Sequence, residues 1–136
     1  MSPEEATLRA FLDPSRRARY LTLLADPRRR RELTARFYHV FARDVDERWA
    51  ETIDRVVPAA DVAVELRRRG APATATIFGG AFDRTVAPLT DALELIDRDG
   101  GAIVICIPGE LARYVGEPPS EPTFVLHRPP RTDDRT

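Results

Sequence analysis

Residues 102–107 read AIVICI, six apolar residues fenced by Gly100-Gly101 before them and Pro108-Gly109 after. A run this short and rich in β-branched residues, punctuated at both ends by turn formers, is a strand with no polar face to offer solvent. Val104 and Cys106 point one way, and Ile103, Ile105 and Ile107 the other. The strand is therefore expected at the centre of a sheet, with the Cys106 thiol inert. Including Pro108, the apolar run is about seven residues, far below the roughly 18 to 20 that a membrane span requires. The chain has 136 residues, enough for one domain with its own core.

Before this strand lies a helical stripe. In AFDRTVAPLTDALELIDRDGG, Leu89, Ala92, Leu93 and Ile96 recur at helical spacing opposite Asp91, Glu94 and Asp97. Further back, ATATIFGG is rich in β-branched residues. Strand, helix, strand over this length reads as a βαβ unit with parallel strands. TFVLHR, near the end, reads as a third strand. DVAVELRRRGAP, from Asp61, is a helix with Arg67 to Arg69 in its last turn and Gly70 as its cap.

The N-terminal part is helical. Ser2-Pro3 with Glu5 forms a capping box, and Asp13-Pro14 and Asp26-Pro27 repeat the start signal, because Asp accepts from the orphan amides and proline loses nothing at the first helical position. Tyr20, Leu21 and Leu24 form one buried stripe and Leu33, Phe37, Val40 and Phe41 the next. Asp44 is expected to cap a further helix carrying Val45, Trp49, Ile53 and Val56 or Val57, closed by Pro58. The fold class is α/β (α+β): a helical N-terminal half packed on a small three-stranded mixed sheet containing one βαβ unit. Residues 1–128 form a single globular domain, helical over 1–70 and β-α-β-β over 71–128. Residues 129–136 are expected to form a disordered polar tail.

The formal net charge is −1, from 21 cations and 22 acids. All the cations are arginine, and Lys, Asn and Gln are absent. Either a G+C-rich genome or loss of thermolabile residues produces such a bias. Residues 1–43 hold ten arginines against five acids, whereas residues 71–136 hold six against ten. Basic character thus belongs to the N-terminal third. The first residues are acidic where a signal peptide is basic and then apolar, so a cytoplasmic location is expected. One cysteine excludes an internal disulfide.

The carboxyl ends of two parallel strands are where a ligand is expected, since loops and helix N-termini converge there. These ends carry Gly79, Gly80, Phe82 and Arg84 on one side and Gly109, Arg113 and Tyr114 on the other. The glycines bare their amides, the arginines suit a carboxylate or phosphate, and the aromatics can stack on a ring. Ordinary turn chemistry accounts for the same glycines, and no phosphate-loop sequence, G-x-G-x-x-G or nucleophile elbow is present. Arg28, Arg29, Arg30 and Arg31 stand together at a helix opening, where they oppose the macrodipole. With Arg16, Arg17, Arg19 and Arg36 they form a candidate nucleic-acid surface.

His39 and His127 stand alone, without carboxylates at metal-ligand spacing, and neither cofactor nor metal is expected. Trp49, Phe37, Tyr38 and Phe41 read as the contact between helices and sheet. The sequence thus favours a binding or regulatory module for a partner protein or small anionic ligand, with homodimerisation through open sheet edges expected. A nucleic-acid-associated protein is the alternative, followed by a small enzyme using Cys106 or Glu110.

Overall fold

The computed structural model describes residues 1–119 and 121–130. Six helices and six strands follow in chain order: α1 (Pro3–Phe11), α2 (Pro14–Ala25), α3 (Arg30–His39), α4 (Phe41–Asp44), β1 (Ala50–Thr52), α5 (Ala59–Arg68), β2 (Thr74–Phe78), β3 (Val86–Pro88), α6 (Leu89–Asp99), β4 (Ala102–Ile107), β5 (Leu111–Val115) and β6 (Thr123–His127). The strands form one sheet in the order β1-β6-β5-β4-β2-β3. Every neighbouring pair is antiparallel.

The sheet lies between two helical layers. Leu8, Phe11, Leu23, Phe37 and Phe41 from α1 to α4 pack on Phe78, Ile103, Ile105, Tyr114 and Leu126. On the other face, Val62, Ala63 and Leu66 of α5 and Leu89, Ala92, Leu93 and Ile96 of α6 cover Ile77, Val104, Cys106, Val115 and Val125. An antiparallel sheet often leaves one face wet, but here both are covered, so β4 has no polar side chain and the polar residues of β5, Arg113 and Tyr114, are buried. Aromatic edges fill the first layer: Phe37 meets Phe78 at 4.9 Å between ring centres, and Phe41 meets Tyr114 at 4.7 Å.

The N-terminal helix starts form as their chemistry dictates. Ser2 accepts from the Glu5 amide, Asp13 from Ser15 and Asp26 from Arg28. The third signal opens a 3-10 turn at Pro27–Arg29 that leads into α3 at Arg30. Arg28 and Arg29 therefore precede the α-helix instead of filling its first turn. Leu89, Ala92, Leu93 and Ile96 are the buried residues of α6, as their spacing requires.

Several expectations are corrected. The sheet has six strands, not three, and is not mixed. The strand-helix-strand unit runs from β3 through α6 to β4, two strands that are parallel to each other but separated by β2, which pairs antiparallel with both. β1 and β3 are three residues each, too short to show a period of two. β5 was hidden by Arg113, a charge inside LARYV that reads as exposed but is buried.

No helix spans Val45 to Val57. Asp44 ends α4, Asp46 caps a 3-10 turn at Glu47–Trp49, and the chain then enters β1. Val45 packs in one layer and Ile53 in the other, so their helical spacing is a coincidence. Ile107 also departs from its expected face. A register shift between Ile105 and Ile107 turns it toward the α5 and α6 layer with Cys106. The expected tail lies mostly outside the described residues, beyond Pro130.

The sheet edges are short. β3 ends on Pro88, which has no amide to donate, and β1 carries Glu51. Both devices discourage strand addition. Among the described residues, no helix is long and apolar enough to cross a membrane.

Candidate anion-binding site

Antiparallel pairing separates the two halves of the expected ligand site. Phe78 pairs with Ile103, so Gly79 and Gly80 lie beside Gly101 and Ala102 at one end of the sheet. Gly109 follows the opposite end of β4 and lies near Ala6 of α1. Arg113 and Tyr114 are both buried, on opposite faces of β5. Tyr114 donates its hydroxyl to the Phe37 carbonyl at 2.5 Å, so its polar tip is spent inside the core. Phe82 packs against the second layer. Gly80 and Arg84 line two different clefts that flank Arg30.

Arg30 occupies the point where those clefts meet. Its guanidinium makes two bonds to Glu4, at 2.9 and 2.5 Å, and two to Asp83, at 2.8 and 2.9 Å, while lying over the Phe78 ring. Asp83 also accepts from the Gly79 amide at 2.7 Å. One planar fork thus ties the start of α1, the start of α3 and the β2–β3 loop. Of the four consecutive arginines, Arg29 pairs with Glu32 and Arg30 is consumed internally, which leaves Arg28 and Arg31 facing solvent.

A different group of arginines converges. On α2, Ser15, Arg16, Arg19 and Tyr20 share one face, and across from them stand Arg36 and Val40 at the end of α3 with Arg43 and Asp44 in α4. Together they line a cleft of about 400 Å³. Its floor is the buried pair in which Tyr20 donates to Asp44 at 2.6 Å. Burial and the adjacent carboxylate push the Tyr20 phenol far up, so it stays a donor. The Arg36 guanidinium lies over the Tyr20 ring at 5.1 Å, and Arg16 and Arg36 each stand 3.8 Å from an Asp44 oxygen. Arg19 reaches away to Glu32 at 2.7 Å. Arg43 has no ion pair among the described residues.

Four cations and one carboxylate line the cleft, a formal +3 that becomes +2 once the Arg19 pair with Glu32 is counted. Two of the other clefts are closer to balance, each at +1. The one lined by Arg9, Arg30 and Arg84 also contains Glu4 and Glu5, and Glu4 and Glu5 are already paired with Arg30 and Arg9. The cleft near Gly109 holds Arg9, Arg17 and Arg128 with Glu110, but Arg9 is paired with Glu5, Arg17 donates to the Leu12 carbonyl, and Arg128 donates to the Ala10 carbonyl and lies over Trp49. Guanidinium groups present paired donors that match phosphate oxygens, and like charges held around one space are relieved by an anion.

No family model, no curated protein and no solved structure matches the chain. The site therefore stands on its own geometry. Sequence reading named Arg16, Arg19 and Arg36 only as neighbours of the four-arginine run and missed Arg43, Tyr20 and Asp44. The available signal was Arg16, Arg19 and Tyr20 at i, i+3 and i+4, which puts two cations and a phenol on one face of α2.

The remaining candidates are accounted for by packing or pairing. His39 is exposed with its Nδ1 2.9 Å from Glu117, and the His127 Nδ1 lies 3.3 Å from Arg69. No group of three metal-ligating side chains occurs among the described residues. The Cys106 thiol is buried, and burial pushes its pKa up to about 12. At pH 8 it is protonated and inaccessible. Iodoacetamide at that pH is expected to leave the native protein unmodified over hours and to label it fully in denaturant. Mass spectrometry reads the result, and rapid native labelling would contradict the burial.

Proposed function

We propose that this protein is a cytoplasmic binding module for phosphate-bearing anions, held by Arg16, Arg19, Arg36 and Arg43. The observation that carries the reading is the convergence of four arginines from three helices on one cleft with a single carboxylate. The Tyr20–Asp44 bond supports it, because it uses the carboxylate from below and leaves the guanidinium edges to the ligand. Arg43 and Arg36 supply the first contacts, and Ser15 adds a hydroxyl at the rim. Each charge-assisted bond contributes about 1.5 to 3 kcal/mol before ordering costs.

A small phosphorylated ligand fits better than a nucleic-acid strand. The Arg28 side chain is exposed, but Arg29 and Arg30 are internally paired, so the basic run offers no continuous track for a backbone. Titration with pyrophosphate and with a short single-stranded oligonucleotide across salt concentrations separates the two. Four arginines neutralise at most four phosphates, so the oligonucleotide slope of log affinity against log salt should be no steeper than about −3. Pyrophosphate should compete for the same site. Steeper oligonucleotide dependence without competition would favour a nucleic-acid surface elsewhere.

A further inference from the structure

Apart from its charges, the arginine cleft has little surface that could hold the body of a ligand. Val40 is the one aliphatic residue in its lining and Tyr20 the one aromatic. The Tyr20 ring is only 1% exposed and is roofed by the Arg36 guanidinium at 5.1 Å. A nucleobase gains most from stacking on an open aromatic face, and this lining has none. Ser15 offers something different at the rim. Its amide and its hydroxyl both donate to the Asp13 Oδ1, at 2.9 and 2.7 Å. The hydroxyl proton is thereby spent, and the Ser15 Oγ is left as an acceptor, which suits a hydroxyl on a ligand better than a phosphate oxygen.

The cations are placed for a terminal phosphate. Arg16 comes from α2, Arg36 from α3 and Arg43 from α4, while Arg19 is turned to Glu32. Arg16 and Arg36 stand 3.8 Å from the Asp44 oxygens, beyond hydrogen-bond distance, and one of those oxygens already accepts from Tyr20. A phosphomonoester carries about −1.5 to −2 charges at neutral pH and presents three terminal oxygens, which three guanidinium groups on three helices can meet. A phosphodiester has a single charge and two free oxygens, with an ester group on either side.

Given the phosphate site proposed above, on which this rests, we infer that its ligand is a sugar phosphate: a terminal phosphomonoester on a hydroxylated, non-aromatic body. Arg16, Arg36 and Arg43 take the phosphate, and the Ser15 Oγ accepts from a sugar hydroxyl. The cleft of about 400 Å³ is within the range of small-ligand sites.

Calorimetric titration of the wild-type chain with ribose 5-phosphate, adenosine 5′-monophosphate, ethyl phosphate and dimethyl phosphate, at neutral pH and one ionic strength, tests the inference, with pyrophosphate as the reference for the site. Ribose 5-phosphate should displace pyrophosphate and bind about tenfold or more tighter than dimethyl phosphate, the worth of one charge-assisted contact. It should also bind tighter than ethyl phosphate, which has the same phosphate and no hydroxyl. Adenine should add nothing, so the nucleotide and ribose 5-phosphate should match within about threefold, under 1 kcal/mol. A nucleotide bound about tenfold tighter than ribose 5-phosphate would overturn the inference by revealing a base contact. Equal affinity for ribose 5-phosphate and either dimethyl or ethyl phosphate would overturn it too, as would binding of pyrophosphate alone. If pyrophosphate also fails to bind, the phosphate site itself is refuted.

Discussion

Replacing Arg30 with alanine is expected to destabilise the protein by about 3 kcal/mol, the lower end of the range for breaking a buried pair. The guanidinium is 15% exposed and its partners Glu4 and Asp83 are 19% and 25% exposed, so the stranded carboxylates recover only part of their hydration. Lysine should not rescue it, since an ammonium cannot span two carboxylates on different elements with paired donors. In denaturant titrations Arg30→Ala should lower the midpoint with little change in slope. A loss under about 0.5 kcal/mol would place the cluster with ordinary surface pairs.

The same cluster sets a pH dependence. Burial alone would raise the Asp83 carboxyl, but Arg30 and the Gly79 amide together hold it below its usual range. A depressed carboxyl contributes stability that is present above the unfolded value, near 4, and is lost as pH falls through the lower folded value. The gap between wild type and Arg30→Ala should therefore be constant at neutral pH and shrink in that acid window. A gap that grows on acidification would contradict the assignment.

Gly100→Ala is expected to be at least as damaging, at about 4 kcal/mol. Gly100 has φ 67° and ψ −166°, a region open essentially to glycine alone, where another residue costs about 1 to 3 kcal/mol. An added Cβ would also collide with the Gly116 carbonyl oxygen and come within 2.8 Å of the Pro118 Cδ. Backbone cannot swing aside as a side chain does, so the end of α6 would have to lift from the β5–β6 connection. Gly109→Ala is the control. It shares a positive φ of 76°, yet its nearest neighbour beyond the adjoining residues lies 3.6 Å away in Ala6. Only the conformational cost of about 1 to 2 kcal/mol should appear there. Equal losses at the two positions would mean that the collision at Gly100 relaxes.

The contrast between these glycines mirrors what the sequence disclosed. Local chemistry was legible: Ser2, Asp13 and Asp26 cap what they precede, the apolar stripe of α6 is the buried one, and AIVICI is an interior strand. Pairing was not. That β2 turns back through Val86–Pro88 before α6 begins depends on a three-residue strand whose Val86 is 66% exposed, and this one hairpin converts an expected parallel pair into an antiparallel one. With it went the expected ligand site, which required both strand ends at one edge.

The arginine cleft was half legible for a related reason. Arg16, Arg19 and Arg36 stood out by charge, but Asp44 looked like a helix cap and Tyr20 like plain core. Only the packing of α3 against α2, with α4 following it, brings them together, with Asp44 buried under Tyr20. Arg113 failed in the opposite way. It drew notice as an accessible anion contact, and instead lies in the sheet interior, where charge patterning along LARYV gave no warning.

The central claim is that the cleft on α2, α3 and α4 binds a phosphate-bearing anion, and calorimetric titration of pyrophosphate into wild type and Arg43→Ala tests it most directly. Arg43 is exposed and without an internal ion pair among the described residues, so its loss should leave stability unchanged within about 0.5 kcal/mol. We predict one saturable site in the wild type, weakened about tenfold or more in Arg43→Ala, the loss of one charge-assisted contact. No saturable binding to the wild type, or equal affinity in the two proteins, would contradict the account.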